Sequence, residues 1–349
     1  MADVTSAQVA ASMSLDLAPD IIGQIYRSAT TLALLPVEPP NGKVHTHTVS
    51  FGEETQATPG YAEAADFTDD SVDEEKLAQY NHARYKQSLK VTGDAQDIAG
   101  ITNNPVAARN QLLLKIQQSA SKLAATVNKE ILHGTGAANR LVSLLGGATP
   151  ALSDTAIYAG IDPTVDTQWK ANIVDAGATA LSFAHFDQAF EEQSIACEDR
   201  IDVMLCAPQD WTKIKNLFDA KREYNIASRE VEVAGRKVHL SGGAEVIDYN
   251  GVYFIKERSL TAGNIVGLSL RPENIAVSQL PAYRNQFGDR QAYVDGSGNM
   301  QLAAPGDFKL SFAIKLLSTG GDYTRFALMC KPFLAVKRRN AHFLIKNFT

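Results

Sequence analysis

The sequence predicts an α+β protein, on three observations. Strand-like sequence flanks a long acidic stretch. An amphipathic helical pattern of about 30 residues follows it. Beyond that, helical and strand segments alternate before a run of C-terminal strands. Alternation of this kind builds a mixed layer of helices on a sheet.

Residues 1–42 read as an arm. Pro19, Pro36, Pro39 and Pro40 punctuate it, and proline blocks helix interiors and sheet ladders alike. One short amphipathic piece, IIGQIYRSATTLALL, lies between them, too little apolar sequence to fold alone. The arm is therefore expected to lie on another surface, such as a second copy of the chain.

Two strands come next. KVHTHTVSF sets Val44, Val49 and Phe51 among Thr and His, and YNHARYKQSLKV sets Tyr80, Tyr85, Leu89 and Val91 among polar residues. Between them the chain carries nine carboxylates, Glu53, Glu54, Glu63, Asp66, Asp69, Asp70, Asp73, Glu74 and Glu75, with no cation before Lys76. A two-stranded ribbon is marginal in water by itself, so this one needs a surface. Its tip reads as a solvated, self-repelling loop, or as one held by basic residues of a neighbouring molecule.

After Asn104, Pro105 suits the first position of a helix. Val106, Leu113, Ile116, Ala120, Leu123, Val127 and Ile131 mark one face, with Leu113, Ile116, Leu123 and Val127 as its expected buried stripe. Lys115, Lys122 and Lys129 mark another. Gly134 and Gly136 end the pattern. Such a helix is far longer than the usual length of about 12 residues. Residues 146–180 read as loop. FAHFDQAFEEQSI then predicts a helix, IDVMLCA a strand and PQDWTKIKNLF a second helix. Asn250-Gly251 predicts a type I′ hairpin between β-rich runs. FKLSFAIKLLS, YTRFALMCKPFLAVKRR and FLIKNF read as closing strands.

Composition narrows the function. The chain has 349 residues, 45% hydrophobic and 21% charged, ordinary for a globular protein. A net charge of −6 argues against a generic nucleic-acid binder. The one dense basic run, Lys337-Arg338-Arg339, reads as a solvated strand edge, with a phosphate-contacting patch as the lesser alternative. Cys197, Cys206 and Cys330 lack paired spacing, which fits a reducing compartment. Neither a signal peptide nor an apolar stretch of about 20 residues is legible.

Catalytic patterns are missing as well. GTGAANRLVSLLGG lacks the Lys-Ser/Thr of a phosphate loop and follows a helix instead of opening one. His45 and His47 share a strand face without a third ligand, and read as solvated. Cys206 with His185 is a conceivable nucleophile and base, but a lone Cys inside IDVMLCA reads as core.

The order of parts, an arm, a ribbon with a polar tip, a long helix, a Gly turn and an α/β region with a returning strand, resembles the major capsid protein of tailed bacteriophages. Local sequence agrees. LHGTGAANRLVSLL resembles the turn after that family's spine helix. FAHFDQAFEEQSIACEDRIDVMLCAPQDWTKIKNLFDA, with Pro208, Asp210 and Trp211, is similar to its axial-domain helix, strand and helix start. YTRFALMCKPFLAVKR resembles its closing strand.

The resemblance implies the Hong Kong 97-like capsid fold, with an N-terminal arm at 1–42 and an extended loop (β-ribbon with acidic tip) at 43–92. A peripheral domain with the spine helix follows at 93–168, an axial α/β domain at 169–315, and C-terminal strands returning to the peripheral domain at 316–349. It implies a non-enzymatic subunit that assembles with itself into hexamers and pentamers of an icosahedral shell around double-stranded DNA, without sequence-specific binding. The ribbon would bury its face on a neighbour, its acidic tip meeting Lys115, Lys122 and Lys129 or Lys337, Arg338 and Arg339.

The implied setting is the virion after synthesis in a host cytoplasm, without membrane or cofactor. The implied partners are a portal, a decoration protein and a scaffolding protein. The scaffold is expected as a separate protein because the ribbon begins near Lys43 and leaves no room for a scaffolding segment. The Lys–Asn crosslink of some members is not carried over, since Lys43 and Lys76 only flank the tip. Alternatives are an encapsulin-like nanocompartment shell and, in another class, an α/β hydrolase or transferase without a recognisable motif.

Overall fold

The computed structural model describes residues 2–4, 29–39, 41, 44–51, 75–92, 105–137, 139–221, 230–233, 236–239, 247–279, 293–294, 300–301, 312–319 and 323–349. In chain order the elements are β1 (Ala2–Val4), α1 (Thr30–Leu34), β2 (Val44–Ser50), β3 (Glu75–Asn81), β4 (Tyr85–Thr92) and α2 (Pro105–His133). Then come β5 (Asn172–Asp175), α3 (Phe183–Ala196), β6 (Val203–Cys206), α4 (Trp211–Lys221), β7 (Glu230–Val233), β8 (Arg236–His239), β9 (Ile247–Tyr249) and β10 (Val252–Lys256). The rest are β11 (Asn264–Leu268), β12 (Ile275–Gln279), β13 (Tyr293–Val294), β14 (Met300–Gln301), β15 (Phe312–Thr319), β16 (Tyr323–Cys330), β17 (Pro332–Val336) and β18 (Phe343–Lys346).

The described strands form two six-stranded sheets, ordered β1-β4-β16-β15-β13-β14 and β5-β18-β11-β6-β10-β9, and three two-stranded ladders, β2-β3, β12-β17 and β7-β8. The second sheet separates two apolar cores. Val203 and Leu205 of β6 face one core, Met204 and Cys206 the other. Alternation across a strand buried on both faces explains the unbroken apolar run IDVMLCA. The second core is aromatic: Phe186 of α3, Phe218 of α4, Phe254 of β10 and Phe343 of β18 meet there. The first core takes α1, β3 and the C-terminal half of α2, with Ala120, Leu123, Ala124, Val127 and Ile131 buried.

Helix α2 begins at Pro105 and ends at His133, as its sequence predicts. Its Leu113, Ile116 and Lys115 side chains lie outside the described ones. Gly134 follows because a Cβ there would stand 2.4 Å from the Leu141 carbonyl oxygen and 2.5 Å from that of Glu130. The 250–251 hairpin has φ of 52° at Asn250 and 76° at Gly251, with Val252 opposite Tyr249, the geometry of the type I′ turn.

Several expectations change. The ribbon's returning strand is β3, with His45 opposite Tyr80 and Ser50 opposite Glu75. Tyr85–Thr92 belongs instead to the first sheet, antiparallel to β16. The chain turns between the two because the Ala83 N–H donates to the Pro332 carbonyl at 2.9 Å and the Arg84 N–H to that of Asn139 at 2.9 Å. The expected boundary at 315/316 falls inside β15. The last strand does not return to the ladder of β4 and β16. It inserts between β5 and β11, where Leu344 fills one core and Phe343 and Ile345 the other.

Candidate functional site

The root of the ribbon is the part of the expected assembly surface that falls within the described residues. Of the nine acidic positions, only Glu75 is among them, exposed at the end of β3. Glu53, Glu54, Glu63, Asp66, Asp69, Asp70, Asp73 and Glu74 lie outside.

The two faces of the root differ. On β3, Ala78 and Tyr80 are buried, while Leu77 is 52% exposed. The inner face packs on the chain's own core, so the expectation that the ribbon rests only on a neighbour is corrected for this part. Period-2 alternation makes such packing natural: one face carries Tyr80 and Ala78, the other Gln79 and Leu77. The Tyr80 hydroxyl donates to the Val336 carbonyl at 3.1 Å. Burial raises its pKa far above the ordinary value, with the nearby Tyr158 and Glu38 acting in the same direction. Lys76 pairs with the nearly buried Asp166 at 2.7 Å, and Phe51 meets Trp169 edge to face.

His45 also belongs to the inner face. It is 2% exposed and stacks on Phe333 at 4.4 Å between centroids, which corrects the solvated reading of this histidine. His47 is half-buried. Beside it a groove of about 810 Å³ runs between β2 and the end of α3, bordered by Trp169, Ile195, Cys197 and Arg338.

The arm is anchored at its end. Glu257, fully buried, accepts from the Thr31 N–H at 3.0 Å, the Thr31 hydroxyl at 2.7 Å, Asn128 Nδ2 at 3.1 Å and the Ser259 N–H at 2.9 Å. Asn128 completes the clamp by accepting from the Leu32 N–H at 2.9 Å. Leu32, Leu34 and Leu35 are buried in the first core. Residues 29–39 thus lie on their own chain, and Val37 bridges to Val277 of β12.

The basic run is committed too, so the solvated-edge reading is wrong for two of its three members. Lys337 is 8% exposed and holds Glu38 at 2.6 Å. Arg339 is fully buried. Its guanidinium donates to the carbonyls of Ala151 at 2.6 Å and Ala156 at 3.3 Å, and to that of Ser153. Burial lowers its pKa to about 10, which leaves it cationic at neutral pH. Arg338 is half-exposed and paired with Asp199 at 3.1 Å. Lys122 and Lys129, by contrast, stand exposed on α2. Sequence reasoning missed Glu257 and Asn128, because a charge after a strand and an amide in a helix ordinarily read as solvated.

The residues weighed for catalysis have structural employment. Cys206 is buried against the Ile255 carbonyl at 3.7 Å, and burial raises its pKa far above the ordinary thiol value. His185 Nδ1 accepts from the Ser182 N–H at 3.2 Å at the start of α3. Among the described residues no three His, Cys, Asp or Glu side chains are placed to hold a metal, and no helix is long and apolar enough to cross a membrane.

No family model and no curated protein sequence matches the chain. Solved structures do. The chain has the α+β fold of solved phage capsid and encapsulin subunits, the Hong Kong 97-type fold. It is similar to the capsid protein of cyanophage A-1(L), with a TM-score of 0.71 at 16% identity, covering 95% of this chain and 96% of that one. It is similar to the subunit of the holo-SrpI encapsulin complex from Synechococcus elongatus PCC 7942, with a TM-score of 0.58 at 14% identity over 97% and 95%. It is also similar to a chain of Mycobacterium phage Bobi, with a TM-score of 0.57 at 10% identity over 99% of each.

Proposed function

We propose that the chain is the major capsid protein of a tailed bacteriophage. It assembles with itself into hexamers and pentamers of an icosahedral shell, enclosing double-stranded DNA in the virion. The observation that carries this is the likeness to the cyanophage capsid protein over nearly the whole of both chains. The work of such a subunit is association. Each contact gains from apolar burial, at roughly 25 cal/mol per Å² before ordering costs. A net charge of −6 suits a wall that does not grip packed DNA. A scaffolding protein, a portal and a decoration protein are the partners this role calls for.

The acidic tip of one subunit meets Lys122 and Lys129 on α2 of the next. Their exposure supports this choice, as does the engagement of Lys337 and Arg339 within their own subunit. The encapsulin likeness supports a second reading, a shell around protein cargo. Nuclease treatment of purified particles separates the two. Protected double-stranded DNA is expected, and particles holding protein without DNA would favour the second.

A further inference from the structure

We infer that His45 is an acid-sensitive latch: while neutral it pins the ribbon root to the chain's own core, and its protonation frees the root. The ring is 2% exposed between β2 and β17, stacked on Phe333. Neither ring nitrogen is hydrogen-bonded within the described residues. Nδ1 is buried without a partner, and Nε2 stands 3.7 Å from Glu38, beyond hydrogen-bond reach. An imidazolium has two N–H donors to satisfy, and this packing satisfies neither.

The charged surroundings do not compensate. Glu38, from the arm, is the carboxylate facing the ring, and Lys337 already holds it at 2.6 Å. His47 of the same strand and Lys337 beyond β17 add protonatable or positive groups, and Arg338 acts on His47. Tyr80 of β3 faces the ring as an un-ionised phenol, with the buried Arg339 near it. His82 stands across Phe333, edge to face at 4.9 Å.

Burial is the main reason the His45 pKa lies below the ordinary 6.5; Glu38 opposes the shift, and Lys337 and His47 add to it. The sign follows. The unfolded or released root binds the proton better. The latch is therefore at full strength above about pH 6.5 and weakens as pH falls toward the depressed value.

The latch is a property of one subunit and does not rest on the shell reading. Hydrogen–deuterium exchange on the full chain in dissociated form tests it alone, whereas particle formation tests the other. After correction for intrinsic rates, exchange in β2 and β3 should rise, by up to about tenfold, between about pH 7.5 and about pH 5.5. Peptides from β11 and β18, beside the buried His342, follow the opening of the core itself and should stay more protected than β2 and β3 throughout. His45→Phe keeps the stack without the titration, and His45→Gln is a second non-titrating side chain. Both should abolish the rise. A rise that persists in either variant, protection of β2 and β3 no lower than that of β11 and β18 at about pH 5.5, or no rise in the parent chain overturns the latch. Should both variants fail to fold, the His45 ring resonance in the parent chain decides: a midpoint below 6.5 supports it and one at or above 6.5 overturns it.

Discussion

Glu257 shows what a single residue contributes. Its carboxylate gathers donors from α1, α2 and the segment after β10, tying three parts of the chain together at a fully buried point. Glu257→Ala leaves those donors buried and unpaired, at a cost of about 3 kcal/mol or more. The denaturant midpoint should fall accordingly, and proteolysis near Thr30 should quicken; an unchanged midpoint would mean the clamp is incidental. A second residue sets a pH limit on stability. His342 is fully buried, with Nδ1 accepting from the Ser269 N–H at 3.1 Å, and burial lowers its pKa to about 4. Folding stability should therefore be complete above about pH 6.5 and decline as pH falls toward 4. His342→Asn should flatten that decline in denaturant titrations. Neither residue was legible beforehand. Glu257 follows Lys256 at a strand end, and His342 precedes FLIKNF; partners more than 70 positions away decide their burial.

Elements were far more legible than the contacts between them. The spacing of Leu123, Val127 and Ile131 predicts their face of α2, and all three are buried. Leu123→Asp places an unpaired carboxylate in the first core, a cost above about 4 kcal/mol. It should abolish soluble expression, and a soluble, correctly folded variant would show the buried face to be misassigned. Hairpin 250–251 was equally plain, because Asn-Gly dictates the turn locally. Strand pairing was not. Tyr85–Thr92 reads as strand from its alternation, but nothing within it distinguishes β2 from β16 as its neighbour. The same holds for FLIKNF, which reads as a closing strand and leaves its place between β5 and β11 unspecified. His45 misled for a related reason: alternation with Thr suggests a wet face, whereas Phe333, hundreds of positions on, supplies a dry one.

At the scale of the whole molecule, order and spacing of parts carried the fold class, and the solved shell proteins share that fold at 16% identity or less. The pairing proposed for the acidic tip rests on charge. If the acidic tip pairs with α2, Lys122→Glu with Lys129→Glu should leave the subunit folded and its shells unable to close, and high salt should weaken contacts in the parent, since screening shortens their reach to about 3 Å at ~1 M. Deleting residues 55–72 should have the same effect, read by circular dichroism for folding and by sedimentation for shells. The most direct measurement is electron microscopy of the purified chain, alone and with the proposed scaffolding protein. Closed icosahedral shells, or their hexamers and pentamers, are the predicted result; a monodisperse monomer at high concentration with the scaffold present would contradict the account.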